Sequence, residues 1–153
     1  MNQRQRAALA GKYQSDGMSG SSPQKLLLAV FDRLGRDLDA AIVAIEANNV
    51  EAAHKFLVNA QDLVFELNLA LEPDVWPAAL ELRSVYEHLL DLLVEANLDK
   101  SVDKVQRCIA IVEPLAESWR EAHDALNQQK VAAGLAAGNA ATGNAAAAYG
   151  GRT

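Results

Sequence analysis

Residues 74–97, DVWPAALELRSVYEHLLDLLVEAN, decide how this chain folds. Their apolar side chains recur at Val75, Ala79, Leu82, Tyr86, Leu89, Leu93 and Ala96, in alternating steps of four and three that place them on one side of an α-helix. Leu80, Leu90 and Val94 flank that seam on one shoulder, and Ala78, Val85 and Leu92 on the other. At about 100° per residue the apolar arc exceeds half the circumference. Such a helix needs contacts on more than one side. Neighbouring helices in a small bundle cover much of it, and what covers the remainder bears on function.

Working outward, the same periodicity appears three more times. Upstream, Ala53, Leu57, Ala60, Val64, Leu67 and Leu71 give the seam of a helix over about 50–71. Before it, Ser22-Pro23 is a helix start, since serine caps well and proline fits the first position, where the amide has no intrahelical acceptor. From there Leu27, Val30, Leu34, Leu38, Ala41 and Ile45 run to the Asn48-Asn49 turn. Pro73-Asp74 is expected to end the next turn and cap the third helix, with Pro77 still inside its first turn. Downstream, a fourth helix starts near Ser101 and carries Val102, Val105, Ile109, Val112, Ala116, Trp119, His123 and Leu126. Pro114 predicts a kink or short break near Ile111 to Glu113.

Four such helices joined by short turns fold back on one another, so the sequence predicts an all-α, antiparallel up-down four-helix bundle. Its expected organisation is an N-terminal arm and loop over 1–21, the bundle over 22–128, and an Ala/Gly-rich tail over 129–153. The tail, with repeated glycine and little side chain to bury, is expected to be mobile; an alanine-rich helix is the alternative.

Composition narrows the function classes. Of 153 residues, 50% are hydrophobic but only 5% aromatic, which with abundant Ala and Leu favours helix over strand. A net charge of -6 leaves no basic surface for phosphate contacts, so neither nucleic-acid nor anionic-membrane binding is expected, and no stretch approaches the roughly 18 apolar residues that membrane insertion needs. The one cysteine, Cys108, cannot form an internal disulfide and fits a small buried hydrophobe. The opening MNQRQRAALAGKYQ lacks the apolar stretch of a secretory signal, which makes the cytoplasm the expected compartment.

Helical bundles invite a search for metal and phosphotransfer chemistry. Glu51 and His54 have the Glu-x-x-His spacing of carboxylate-bridged di-iron bundles, but Val85 and Arg120 stand where a second copy with His88 or His123 needs glutamate. His54-Lys55 loosely suits a phosphotransfer histidine, yet Phe-Leu-Val follows where small residues and glycine would admit a receiver. No Gly-rich phosphate loop or nucleophile signature appears. The reading is therefore of a non-enzymatic protein with no catalytic residue, metal or cofactor.

What remains is surplus apolar surface. Val58, Phe65 and Leu69, with Asp62 among them, form a second stripe on the second helix, away from its seam. Together with Leu80, Leu90 and Val94 they can line a groove for an amphipathic or extended segment of a partner. The alternatives are that these residues serve a self-associating structural bundle, or that His54 makes this a phosphotransfer domain.

The residues also carry a resemblance. Tyr13, Ser22-Pro23 with Leu26-Leu27 and Phe31-Asp32, Ala60-Gln61-Asp62 with Glu66-Leu67 and Leu71, Leu82 with Val85-Tyr86, Leu93 with Glu95-Ala96-Asn97, and Ser118-Trp119 follow one another as in the FliS family. From about Tyr13 to Leu126 the chain resembles these flagellin export chaperones. The chain is expected to be a monomer or weak dimer, and the resemblance implies a cytosolic bundle that binds the carboxy-terminal segment of flagellin in apolar grooves. It would block premature polymerisation there and deliver its client to the flagellar type III export gate. It also implies that the N-terminal arm, with Leu9 and Tyr13, can lie over part of the groove. Pro114 and the long tail depart from the family's usual pattern.

Overall fold

The computed structural model describes residues 23–150, with side-chain surroundings for residues 23–138. The expected arm over 1–21, with Leu9 and Tyr13, and the Ser22 cap lie outside the described residues. The helices are α1 (Pro23–Glu46), α2 (Val50–Leu69), α3 (Ala79–Asp99) and α4 (Val102–Gly150), and the described residues contain no strand. The chain divides into two compact units, Met1–Glu117 and Ser118–Thr153. The all-α four-helix architecture is the one the periodicity predicts.

Within the first unit, α1 packs along α2 and α2 along α3. The core is built from Phe31, Leu34, Leu38 and Ala41 of α1, Ala53, Leu57, Ala60 and Val64 of α2, Tyr86, Leu89, Leu93 and Ala96 of α3, and Val105, Cys108 and Val112 of α4. Removing a fully buried leucine from such a core typically costs about 2–5 kcal/mol. Burial pushes the Tyr86 hydroxyl and the Cys108 thiol each up to about 12, because their charged forms would lose water. Cys108 is thus the inert packed thiol its position predicted. Asp37 is an exception: a carboxylate buried on α1, with Arg33 Nε 3.6 Å from its Oδ2. Desolvation raises its pKa, against the lowering influence of Arg33 and Arg36.

Side chains that satisfy exposed amides and carbonyls set the turns. Asn48 adopts a left-handed φ of 56°, a conformation asparagine tolerates, and Asn49 caps α2 by accepting from the Ala52 amide at 3.1 Å. Lys100, at φ 48°, closes α3, and Ser101 Oγ accepts from the Lys104 amide at 3.2 Å to open α4.

Three boundaries differ from expectation. Helix α2 ends at Leu69 rather than Leu71, and α3 begins at Ala79 rather than beside Asp74. Val75 is therefore exposed instead of contributing to the seam, and Pro77 stands outside the helix. Pro77 disfavours helical geometry at Trp76, and neither Pro73 nor Pro77 can donate, so the segment settles into turns. The third difference is α4, which passes Pro114 without a break and remains helical beyond Gln128. Pro114 is exposed while Val112 and Ala116 on either side are buried, which holds the helical path. Farther on, residues 129–138 are all exposed, Val131 and Leu135 included, yet alanine's helix propensity prevails over the glycines in the backbone.

Candidate functional site

The side chains singled out for a groove all remain at least partly open to solvent. Val58, Phe65 and Leu90 are half-buried, while Leu69, Leu80 and Val94 are 43%, 57% and 44% exposed. Asp62 is exposed. The core is complete without them.

A hydrogen bond between helices shows that the two stripes face the same way. Asn97 Nδ2 on α3 donates to His54 Nδ1 on α2 at 3.0 Å. At about 100° per residue, Val58, Phe65 and Leu69 fall within about 60° of His54 around α2. On α3, Leu90 and Val94 fall within about 60° of Asn97, with Leu80 at the edge about 100° away. Because His54 and Asn97 meet, the two stripes lie on the same side of the α2–α3 pair. Asp62, about 80° from His54, stands on the α2 rim.

The end of this face where His54 and Asn97 meet is polar and hydrogen-bonded. Lys100 Nζ donates to Asn97 Oδ1 at 2.7 Å and also to the Asn97 carbonyl. This fixes which side of the Asn97 amide is oxygen, and the His54 Nδ1 lies 3.0 Å from the Asn97 nitrogen and 3.3 Å from its oxygen, the nitrogen being the nearer partner. Nearby, Lys104 bridges Asp99 and Glu95 from α4, and its hydrogen bond to Asp99 raises its pKa. Sequence reading weighed His54 as a metal ligand or phosphate acceptor and missed its partner. The only available signal was topology: in an antiparallel hairpin, the start of α2 meets the end of α3.

Among the described residues, no group of three or more His, Cys, Asp or Glu could hold a metal ion. No described helix is long and apolar enough to cross a membrane. Fold and surface together define a class: a helical bundle with a buried core and apolar side chains left partly open along one helix pair.

Comparison with known proteins places the chain within that class. The family described as Flagellar protein FliS matches residues 5–126, and the chain belongs to this family. It is 30% identical over 118 residues to the flagellar secretion chaperone FliS of Campylobacter jejuni, covering 76% of this chain and 92% of that one. It is 24% identical over 110 residues to the flagellar secretion chaperone FliS of Bacillus subtilis, covering 72% and 82%.

Proposed function

We propose that this chain is a cytoplasmic flagellar export chaperone that holds the carboxy-terminal segment of flagellin along the α2–α3 cleft. It blocks premature polymerisation and delivers the segment to the export apparatus. The observation carrying this reading is the apolar stripe of Val58, Phe65, Leu69, Leu80, Leu90 and Val94, which lies outside the core on two helices fixed side by side. Family membership and the relatives' shared name support it.

The energetics suit a binding protein that makes and breaks no covalent bonds. Fully burying a Leu, Val or Phe contributes roughly 1.5–3 kcal/mol, and ordering a free segment costs roughly 2–5 kcal/mol or more. Several of these contacts must therefore close together, and the affinity follows apolar area rather than salt. Asp62 on the rim is assigned a polar contact to the client, which helps set its register. Leu9 and Tyr13 are assigned a covering role over the empty cleft.

Light scattering with and without a flagellin carboxy-terminal peptide tests the reading. A one-to-one complex that Leu69→Asp abolishes is the expected result. A self-association unchanged by peptide would instead make this a structural bundle. Deleting residues 1–14 should raise the binding of a dye that reports apolar surface; no rise would remove the covering role.

A further inference from the structure

Residues 75–78, Val-Trp-Pro-Ala, are exposed one after another in the connection between α2 and α3, Val75 by 76% and Trp76 by 43%. A run of consecutive exposed apolar residues disfavours solubility unless it serves a function. Tryptophan is also among the side chains that most often dominate binding at interface centres.

The connection is braced rather than loose. Both the Val75 and Trp76 amides donate to the Glu72 carbonyl, at 3.1 and 2.9 Å, and the Ala79 amide donates to the Trp76 carbonyl at 3.0 Å. Pro73 and Pro77 fix their own φ angles. Trp76 is thus presented on a preorganised backbone, so little ordering remains for a binding event to supply.

Within the connection itself the charge has one sign, the nearest basic residue along the chain being Arg83. Glu72, Asp74 and Glu81 are all exposed, and no lysine or arginine occurs between Ala70 and Leu82. None of the three carboxylates is in an ion pair with a described residue. An apolar knuckle with an acidic rim complements one chemistry: an aliphatic anchor flanked by cations.

We propose that this knuckle docks a basic amphipathic segment of a partner protein. The segment's aliphatic side chains cover Val75 and Trp76, and its lysines or arginines meet Glu72, Asp74 and Glu81. This surface adjoins the end of the proposed cleft that Leu69 and Leu80 line, and the test separates the two. The acidic rim also argues against an anionic lipid surface as the occupant.

The test uses the full chain with Trp119→Phe, which leaves Trp76 as its one tryptophan. The probe is a synthetic amphipathic peptide with leucines on one face and lysines on its flanks, beside a counterpart with glutamine at each lysine. The lysine peptide should shift Trp76 emission to shorter wavelength. Its binding should weaken about tenfold as salt rises from about 0.05 to about 0.5 M. Glu72→Gln with Asp74→Asn and Glu81→Gln should weaken it about tenfold. Trp76→Ala, followed by anisotropy of a labelled peptide, should weaken it roughly thirtyfold. Phe65→Asp should leave it unchanged.

Equal binding of both peptides overturns the proposal, as does indifference to the carboxylate substitutions. Binding that appears only after residues 1–21 are removed assigns the knuckle to the chain's own N-terminal residues. A dimer dispersed by Trp76→Ala assigns it to a second copy. A blue shift with anionic vesicles but not with the lysine peptide assigns it to lipid.

Discussion

Leu57 and Phe65 lie about two turns apart on α2 and are comparable as apolar side chains, yet Leu57 is fully buried and Phe65 only half so. The inner face of α2, from Ala53 through Leu57 and Ala60 to Val64, closes against other core residues. The outer face, from His54 through Val58 and Phe65 to Leu69, ends in a polar clasp and stays open. The difference separates two uses of apolar surface on one helix. Burial within the chain contributes to folding free energy, whereas area left open can contribute only when something else arrives.

That contrast can be broken most forcefully from the inside. Leu57→Ala should lower stability by about 2–5 kcal/mol, read from the urea midpoint. A loss below about 1 kcal/mol would mean that the inner face is not where the fold is held. From the outside, Phe65→Asp should reduce binding of the flagellin peptide roughly thirtyfold or more while the melting temperature stays nearly unchanged. Melting that falls with binding would place Phe65 in the core.

A smaller effect sharpens the boundary between the faces. Asn97→Ala removes the bond that holds the clasp end of the cleft together and should cost about 0.5–1.5 kcal/mol in chemical denaturation. The ring-nitrogen chemical shifts of His54 should change in the same variant. An unchanged spectrum would mean that the imidazole does not need Asn97.

The smallest effect concerns Asp37, the polar exception on the inner side. Its folded pKa lies above the ordinary value of 3.8, chiefly from desolvation. Stability linked to it is therefore fully present below that ordinary value and is lost as pH rises through the folded pKa. Asp37→Asn should be more stable than the parent chain at pH 7, with the gap closing below about pH 4. A gap of opposite sign would make the Arg33 pairing the stronger influence.

How far these features can be read in advance depends on their physical origin. Periodicity located the seams of the first three helices and of the fourth as far as Ala116, because burial repeats every three or four residues wherever a helix lies on a core; Leu126, expected to continue the fourth seam, is exposed. It also found Phe65 and Leu69, whose apolar character on the far side of a seam conflicts with simple amphipathicity. Phe31, fully buried, is not legible as core, since Leu27 and Val30 offer an equally good seam at that end of α1. Asp37 carries no sequence signal at all, because a charged residue reads as surface. The start of α3 was placed too early because apolar spacing extends to Val75, while the competing effect of Pro77 on the residue before it ends the pattern. The His54–Asn97 bond depends on two helices meeting, which spacing within either one does not encode.

Proline at position 114 deprives the Ala110 carbonyl of the amide that would ordinarily face it one turn on, within a few residues of the division at Glu117–Ser118. Isotope exchange at the amides of α4 should therefore show a step there. Protons on the Val105 to Val112 side would be retained as long as the core persists, and those past Ser118 would be traded with solvent on a clock of their own.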